Sequence, residues 1–127
     1  MSHFTTIKTK LYDHIILKET LSSLNLPWSS GTQEIKGYKG QVHPAEILIK
    51  QSNNYDIGFK WDGKRYNMVA DLMFWDQAVS YEKFLNQINQ RYAYHSITQI
   101  LNKSNYEFVQ STHSENGSIR VTLRKYV

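Results

Sequence analysis

The sequence of 127 residues contains no cysteine. This absence excludes disulfide bonds, thiolate metal sites and cysteine nucleophiles, so packing alone must hold the fold together. No run approaches the roughly 18 consecutive apolar residues that a bilayer-spanning helix needs. The N-terminus has the features of neither a signal peptide nor a transit peptide. These absences predict a soluble protein that works in the compartment where it is made.

Charge of one sign is not concentrated anywhere in the chain. Fifteen Lys and Arg face eleven Asp and Glu, a net charge of +4, but the basic residues are spread over the whole length. No window holds the five or six like charges that are typical of a nucleic-acid-binding tail. Lysine outnumbers arginine eleven to four, and alanine occurs only four times. Such usage is typical of an AT-rich coding genome, so part of the positive charge reflects nucleotide composition.

Length and composition fit a single globular domain over residues 1–127, with 40% hydrophobic and 13% aromatic residues to build its core. Alternation of Thr, Ile and Lys over residues 4–11 predicts a first strand. Asp13 is placed as the N-cap of an amphipathic helix over residues 13–25. Pro27 ends this helix because its ring cannot continue one.

Between residues 28 and 72 the hydrophobic period changes to two, which predicts an antiparallel meander of four strands. In the third of these strands, alternation places Asp56 and Gly58 on the face opposite the apolar residues. The dipeptide at 62–63, Asp-Gly between two alternating runs, predicts a type I′ hairpin turn, because both central positions of that turn need positive φ.

A second, long helix opens at Ser80 and is expected to end at Asn105. Its apolar face drifts around the axis, which fits either a helix lying diagonally across a twisted sheet or a kink. Residues 106–112 and 118–127 form a final hairpin around Asn-Gly at 116–117. The order β-α-β-β-β-β-α-β-β therefore predicts an α+β fold, an antiparallel sheet with two helices on one face.

The sequence contains no motif that marks a catalytic or metal site. Its five histidines form no His-x-x-x-His pair, so no metal ligand set is predicted. Paired carboxylates, a nucleophile elbow and a phosphate-cradling loop are not recognisable either. We therefore expect no cofactor and no metal, and the sequence favours a non-enzymatic protein without deciding the point.

The strongest candidate binding residues lie on the second helix. His95 projects onto the apolar stripe of this helix, and Arg91 stands one turn earlier. One interpretation is a buried or half-buried histidine that is satisfied by a backbone or side-chain partner. The other joins Gln90, Arg91, Tyr92, Tyr94 and His95 in a polar and aromatic cluster that binds an anionic or phosphorylated group, since arginine offers a planar fork to carboxylate or phosphate.

Two further segments are candidates for partner binding. Phe74 and Trp75 belong to a loop that is more apolar than a strand requires, so they either anchor a partner or fold back onto the core. Arg120 and Arg124 share one face of the last strand, opposite an apolar face. This basic face is either solvated or docks a ligand.

Several blocks of residues resemble one known family in the same order along the chain. They are Met1-Ser2-His3-Phe4 with Ile7-Lys8-Thr9, Gly37-Tyr38-Lys39-Gly40-Gln41, Tyr55-Asp56-Ile57-Gly58-Phe59, Val69-Ala70-Asp71 and Gln90-Arg91-Tyr92-Ala93-Tyr94-His95. Through these blocks the chain resembles the hypothetical chloroplast open reading frame thirty-five family over essentially its whole length. The resemblance implies a plastid-encoded protein of the chloroplast stroma. It brings no catalytic residue, because the family has no assigned activity.

The leading hypothesis is a non-enzymatic adaptor, or an assembly or regulatory factor, that binds another plastid protein. The alternative is a nucleic-acid or phosphate-ligand binding protein that uses Arg91, Arg120 and Arg124. A third hypothesis, an enzyme, requires His95, Arg91 and Asp71 to line one pocket.

Overall fold

The computed structural model describes residues 3–103, 106–113 and 119–125 and arranges them in seven strands and two helices. In chain order these are β1 (Phe4–Ile7), α1 (His14–Ser23), β2 (Trp28–Lys36), β3 (Val42–Ile49), β4 (Ile57–Trp61), β5 (Tyr66–Asp71), α2 (Tyr81–Lys103), β6 (Tyr106–His113) and β7 (Ile119–Lys125). The predicted α+β class and element order are confirmed.

Five strands form one antiparallel sheet in the order β1-β5-β4-β3-β2. The predicted meander is confirmed, because β2 to β5 pair with their neighbours in sequence. Strand β1 completes the sheet by pairing with β5, with Phe4 opposite Asp71 and Ile7 opposite Met68. Strands β6 and β7 pair with each other in a second, two-stranded sheet.

Both helices cover the same face of the five-stranded sheet. Side chains two residues apart along a strand point to the same face. Ile47, Phe59 and Met68 are fully buried there in one cluster with apolar residues of both helices. The helical members of this cluster are Ile16, Leu17 and Leu21 of α1 and Phe84, Ile88 and Tyr92 of α2.

The other face of the sheet is covered by the bent outer half of the β2–β3 hairpin. A bulge interrupts the register between Ser30 and Gln33, where Gly31 has a φ of 115°. Strand β4 pairs with β3 only from Ile47 to Ile49, so the outer part of β3 is not held flat in the sheet. The hairpin folds back, and Ile35 buries itself in a second cluster with Ala45, Leu48 and Val69.

Gly58 lies beneath this bent hairpin, where a side chain does not fit. A Cβ atom at Gly58 would meet Ala45 Cβ and Ile35 Cγ2, each at 2.9 Å, which is closer than carbon atoms pack. The expectation that Asp56 and Gly58 share a face is consistent with the alternation, but that face is buried, not exposed to water. Asp56 is only 6% exposed, and its Oδ2 accepts a hydrogen bond from Lys36 N at 3.4 Å.

Local side-chain chemistry fixes the helix starts as the sequence indicates. Asp13 caps α1, and its Oδ1 accepts hydrogen bonds from Ile15 N at 2.9 Å and Ile16 N at 3.1 Å. Ser80 precedes α2, and its Oγ accepts a bond from Lys83 N at 3.2 Å. The predicted helix end at Asn105 and the predicted turn at 116–117 lie outside the described residues.

The prediction of a type I′ turn at Asp62 and Gly63 is wrong. Strands β4 and β5 are joined by a longer loop over residues 62–65, in which only Gly63 has a positive φ, of 101°. Asp62 instead accepts hydrogen bonds through Oδ1 from Lys64 N and Arg65 N, each at 2.8 Å. A side-chain acceptor that binds its own following backbone stabilises this alternative loop.

The first strand is shorter than predicted, because it ends at Ile7 and not at residue 11. Beyond Ile7 the segment is held to β5 by side-chain hydrogen bonds and by one backbone bond, which Tyr66 N donates to Leu11 O at 2.7 Å. Thr9 N donates to Asn67 Oδ1 at 3.2 Å, and Thr9 Oγ1 donates to Tyr66 O at 2.6 Å. The segment therefore stays attached to β5 without strand geometry.

A carboxylate ties β3 to the end of β4. Glu46 accepts hydrogen bonds from Trp61 N at 2.8 Å and from Lys60 Nζ at 2.9 Å. Partial burial raises the pKa of Glu46, but these hydrogen bonds and the Lys60 charge lower it more, so the pKa lies below its ordinary value of 4.5. The ionised form is therefore the one that the fold stabilises.

We predict that Gly58→Ala destabilises the protein by about 1–3 kcal/mol, the usual cost of overpacking a core. Ala45→Gly removes one of the two nearest atoms that the new methyl group would meet, the other being Ile35 Cγ2. The double variant is therefore expected to lose less free energy of unfolding than the sum of the two single variants. Urea denaturation of all four proteins measures this coupling, and strictly additive losses would contradict the close contact.

We also predict that Glu46 contributes stability that disappears in acid. Because its folded pKa is lowered, the contribution is present above pH 4.5 and is lost as the pH falls through the folded pKa. Glu46→Gln should reduce the loss of unfolding free energy between neutral and acidic pH. The exposed Glu34→Gln serves as the control, and an equal effect of both variants in urea melts at several pH values would refute the assignment.

Candidate interaction site between the two helices

Helices α1 and α2 are joined at the start of α1 by the hydroxyl group of Tyr92. This oxygen accepts hydrogen bonds from Tyr12 N at 3.3 Å and from Asp13 N at 3.0 Å. Burial raises the pKa of Tyr92 above its ordinary value of 10.0, against the opposite effect of the two hydrogen bonds. The neutral hydroxyl of Tyr92 thus holds the first residues before α1 against the middle of α2.

His95 lies one turn further along α2, where it contacts the end of α1. Its Nε2 is 3.3 Å from Ser23 Oγ, and its Nδ1 is 4.0 Å from the Glu19 carboxylate. The side chain is 21% exposed. The geometry therefore agrees with a half-buried histidine that is satisfied by polar neighbours, while one part of the ring still reaches the surface.

Two open grooves are lined by residues of both helices or of their ends along this contact. One, of about 480 Å³, is lined by Ile15, Lys18, Glu19, Ser22, Trp28 and His95. The other, of about 600 Å³, is lined by Leu24, Gln87, Gln90, Arg91 and Tyr94. We call the two grooves together the helix seam. Tyr94 and His95 join them, since their rings contact each other edge to face at 5.6 Å.

Large apolar and aromatic side chains are exposed to solvent along the helix seam. Ile15 is 54% exposed on one side and Tyr94 is 61% exposed on the other. Trp28 forms part of the wall, where its Nε1 donates to Ser22 Oγ at 2.8 Å and Lys18 Nζ lies 5.9 Å from its ring. Exposed apolar and aromatic side chains beside fixed polar groups are typical of protein interfaces.

The structure places the candidate residues Gln90, Arg91, Tyr94 and His95 together in this seam. Tyr92 is not part of the surface, because its ring is buried in the core. Arg91 is exposed, and it forms no ion pair with any carboxylate of the described residues. The half of the site that α1 supplies was not predicted from the sequence. Its signal is the row Ile15, Glu19 and Ser22, at the spacing of one helical face.

Phe74 and Trp75 fold back onto the protein. Trp75 packs edge to face on Phe84 at 5.0 Å, and its Nε1 donates to Val79 O at 2.8 Å. Phe74 stacks on Tyr55 at 4.0 Å and on Tyr38, at the tip of the β2–β3 hairpin, at 5.9 Å. Both rings are half-buried, so the fold supplies intramolecular partners for each of them.

The loop that carries these aromatic residues is fastened by a buried amide. Gln51 is 6% exposed and donates through Nε2 to the carbonyl groups of Tyr55 and Phe74. Its Oε1 accepts from Asp76 N at 2.8 Å and from Gln77 Nε2 at 3.1 Å. The Gln51 side chain therefore holds the loop in place on both sides of Trp75.

Arg120 and Arg124 lie on β7 and are exposed, as is Thr122 between them. The predicted sharing of one strand face by Arg120 and Arg124 is consistent with this exposure. They belong to the second sheet, whereas the helix seam is built on the first.

Asp71 does not reach the helix seam. Alternation along β5 puts Asp71 on the same face as Val69, beneath the bent hairpin, while the helices cover the opposite face. Its Oδ1 caps the turn at Leu72–Phe74 by accepting from Met73 N at 3.2 Å. The hypothesis that His95, Arg91 and Asp71 line one pocket is therefore not supported by the fold. Within the described ranges no group of acidic, His or Cys side chains could hold a metal ion.

Comparison with known sequences identifies the family. The profile of a family described as a protein of unknown function, DUF1257, matches residues 20–122. The chain belongs to the DUF1257 family. A ycf35 protein described as uncharacterized, from Guillardia theta, is 48% identical over 99% of this chain and 98% of its own length. Similar proteins from Pyropia yezoensis and Cyanophora paradoxa are 40% and 38% identical over the same shares.

The resemblance found from the sequence blocks is thus confirmed. These DUF1257 relatives are plastid-encoded proteins of algae, which implies a plastid location. No solved structure matches the chain. In the part of the chain that the structure describes, no helix is long and apolar enough to cross a membrane.

We predict that Tyr92→Phe destabilises the protein by about 1–3 kcal/mol, because the Tyr12 and Asp13 N–H groups lose a buried acceptor. Tyr94→Phe is the matched control, since it removes a hydroxyl from an exposed ring on the same helix. Thermal or urea unfolding of both variants measures the difference. Equal stability of the two would show that the Tyr92 hydroxyl does not hold α1.

Proposed function

We propose that this DUF1257 protein is a non-enzymatic adaptor, or an assembly or regulatory factor, that binds another protein in the plastid stroma. The observation that carries the proposal is the helix seam, where Ile15 and Tyr94 expose more than half of their surface beside two grooves. Tyrosine, tryptophan and arginine supply most of the binding energy at protein interfaces. The seam contains one of each, in Tyr94, Trp28 and Arg91.

The helix seam is better suited to docking a partner than the segment that carries Phe74 and Trp75. Its two walls belong to helices that are fixed to each other by the Tyr92 hydroxyl, so little order has to be created on binding. Phe74 and Trp75, by contrast, already pack against Tyr55 and Phe84. Binding through those two rings would first have to break these contacts.

A second candidate function is the binding of nucleic acid or a phosphate ligand. The exposed pair Arg120 and Arg124 on β7, with Arg91 on α2, favours it. Such binding releases counterions and weakens steeply as salt increases, whereas a mixed apolar and polar protein interface depends much less on salt. Salt dependence therefore separates the two functions.

The test compares the wild type with Ile15→Ser/Tyr94→Ser and with a control, Met73→Ser. Met73 is 69% exposed but lies outside the helix seam. Each tagged protein is used to recover partners from algal plastid extract at two salt concentrations, with and without nuclease. The affinity of the identified, purified partner for all three proteins is then measured by calorimetry.

We expect a nuclease-insensitive protein partner whose affinity falls at least about tenfold in the seam variant and is unchanged in the Met73 control. Circular dichroism and melting curves serve to check that all three proteins are equally folded. Equal affinity of the seam variant and the wild type would refute the docking surface. Recovery of nucleic acid alone, lost at the higher salt concentration, would support the second function instead.

A further inference from the structure

The larger groove of the helix seam combines a cation with an apolar wall. Gln87, Arg91 and Tyr94 follow one another at spacings of four and three residues, so they form a row on one face of α2. Leu24, directly after the last residue of α1, closes the groove from the other side. A ligand in the groove therefore meets the guanidinium group, the Tyr94 ring and the Leu24 side chain together.

Arg91 brings a charge that the described residues do not neutralise. It is exposed, and it is not among the ion pairs of the described residues. None of the five residues that line the groove carries a carboxylate. Glu19, on the neighbouring side of the seam, points to His95, with 4.0 Å between its Oε2 and Nδ1.

The end of α1 does not supply a substitute anion. A helix C-terminus normally presents free carbonyl oxygens that attract a nearby cation. Here the carbonyl oxygens of Thr20, Leu21 and Ser22 already accept hydrogen bonds, from Leu24 N at 3.1 Å, Leu26 N at 3.0 Å and Asn25 N at 3.0 Å. The guanidinium group of Arg91 thus remains available to an external acceptor.

We infer that this groove binds a carboxylate that is carried next to an apolar group, as in an acidic segment of a protein partner that contains aromatic or aliphatic residues. Arginine and carboxylate form two parallel hydrogen bonds, which suits the guanidinium group on the groove wall. The adjacent Tyr94 and Leu24 then cover the apolar part of the ligand. The inference rests on the proposed function and specifies the chemistry of the partner at this surface.

Three small probes separate the contributions of charge and apolar contact. Phenylacetate carries both an aromatic ring and a carboxylate, phenylacetamide carries only the ring, and inorganic phosphate carries only the charge. Each is titrated into the ¹⁵N-labelled full chain, and amide shifts are followed by NMR. We expect saturable shifts at Leu24, Arg91 and Tyr94 with phenylacetate, and an affinity for the other two probes that is at least about fivefold weaker.

Substitutions at Arg91 test its role directly. Arg91→Gln should weaken phenylacetate binding at least about fivefold and leave the weak binding of phenylacetamide unchanged. Arg91→Lys should give an intermediate affinity, since it keeps the charge but loses the fork. Arg65→Gln, at an exposed arginine in the β4–β5 loop, is the matched control and should behave like the wild type.

Several outcomes would overturn the inference. They are equal affinity for phenylacetate and phenylacetamide, phosphate binding as tight as phenylacetate binding, no effect of Arg91→Gln, or no saturable shift at tens of millimolar probe. Failure here is distinguishable from failure of the proposed function. If the Ile15→Ser/Tyr94→Ser variant loses a protein partner while the probes do not bind the wild type, the docking surface is supported and the carboxylate preference is refuted. If phenylacetate binds but no protein partner is recovered, the ligand chemistry of the groove is supported and the adaptor function is refuted.

Discussion

The close approach of Ala45 and Ile35 to the bare backbone of Gly58 allows one sheet to be buried on both of its faces. The outer half of the β2–β3 hairpin can bend across the sheet only where no side chain rises between the layers. A second apolar cluster then forms without a third helix. A chain without disulfides gains its stability from buried apolar area, so this second layer matters for the whole fold.

This constraint also decides which surface is left for binding. The bent hairpin occupies the second face and continues to its tip, where Tyr38 stacks on Phe74. The aromatic residues of the loop after β5 are thereby drawn into the protein. The two helices cover the first face, and the helix seam lies where they contact each other. Among the residues that the structure describes, the helix seam combines exposed apolar side chains with an exposed arginine on a rigid support.

The elements that could be predicted are those that depend on residues close together in sequence. Asp13 needs only the next three residues to cap α1, and the period of two in the meander reports directly on strand geometry. The type I′ turn failed because Asp62 has a competing acceptor in its own side chain. The burial of Asp56 and Gly58 was missed because alternation defines two faces but not what covers each of them.

The same distinction applies to the candidate site. The sequence by itself determined the order of strands and helices, the family, and the row of Arg91, Tyr94 and His95 on α2, because helical spacing puts these residues side by side. Only the tertiary structure decided that α1 supplies the second wall through Ile15 and Leu24, and that Phe74 and Trp75 turn inward. These outcomes depend on contacts between residues far apart in the chain, and no local pattern encodes such contacts.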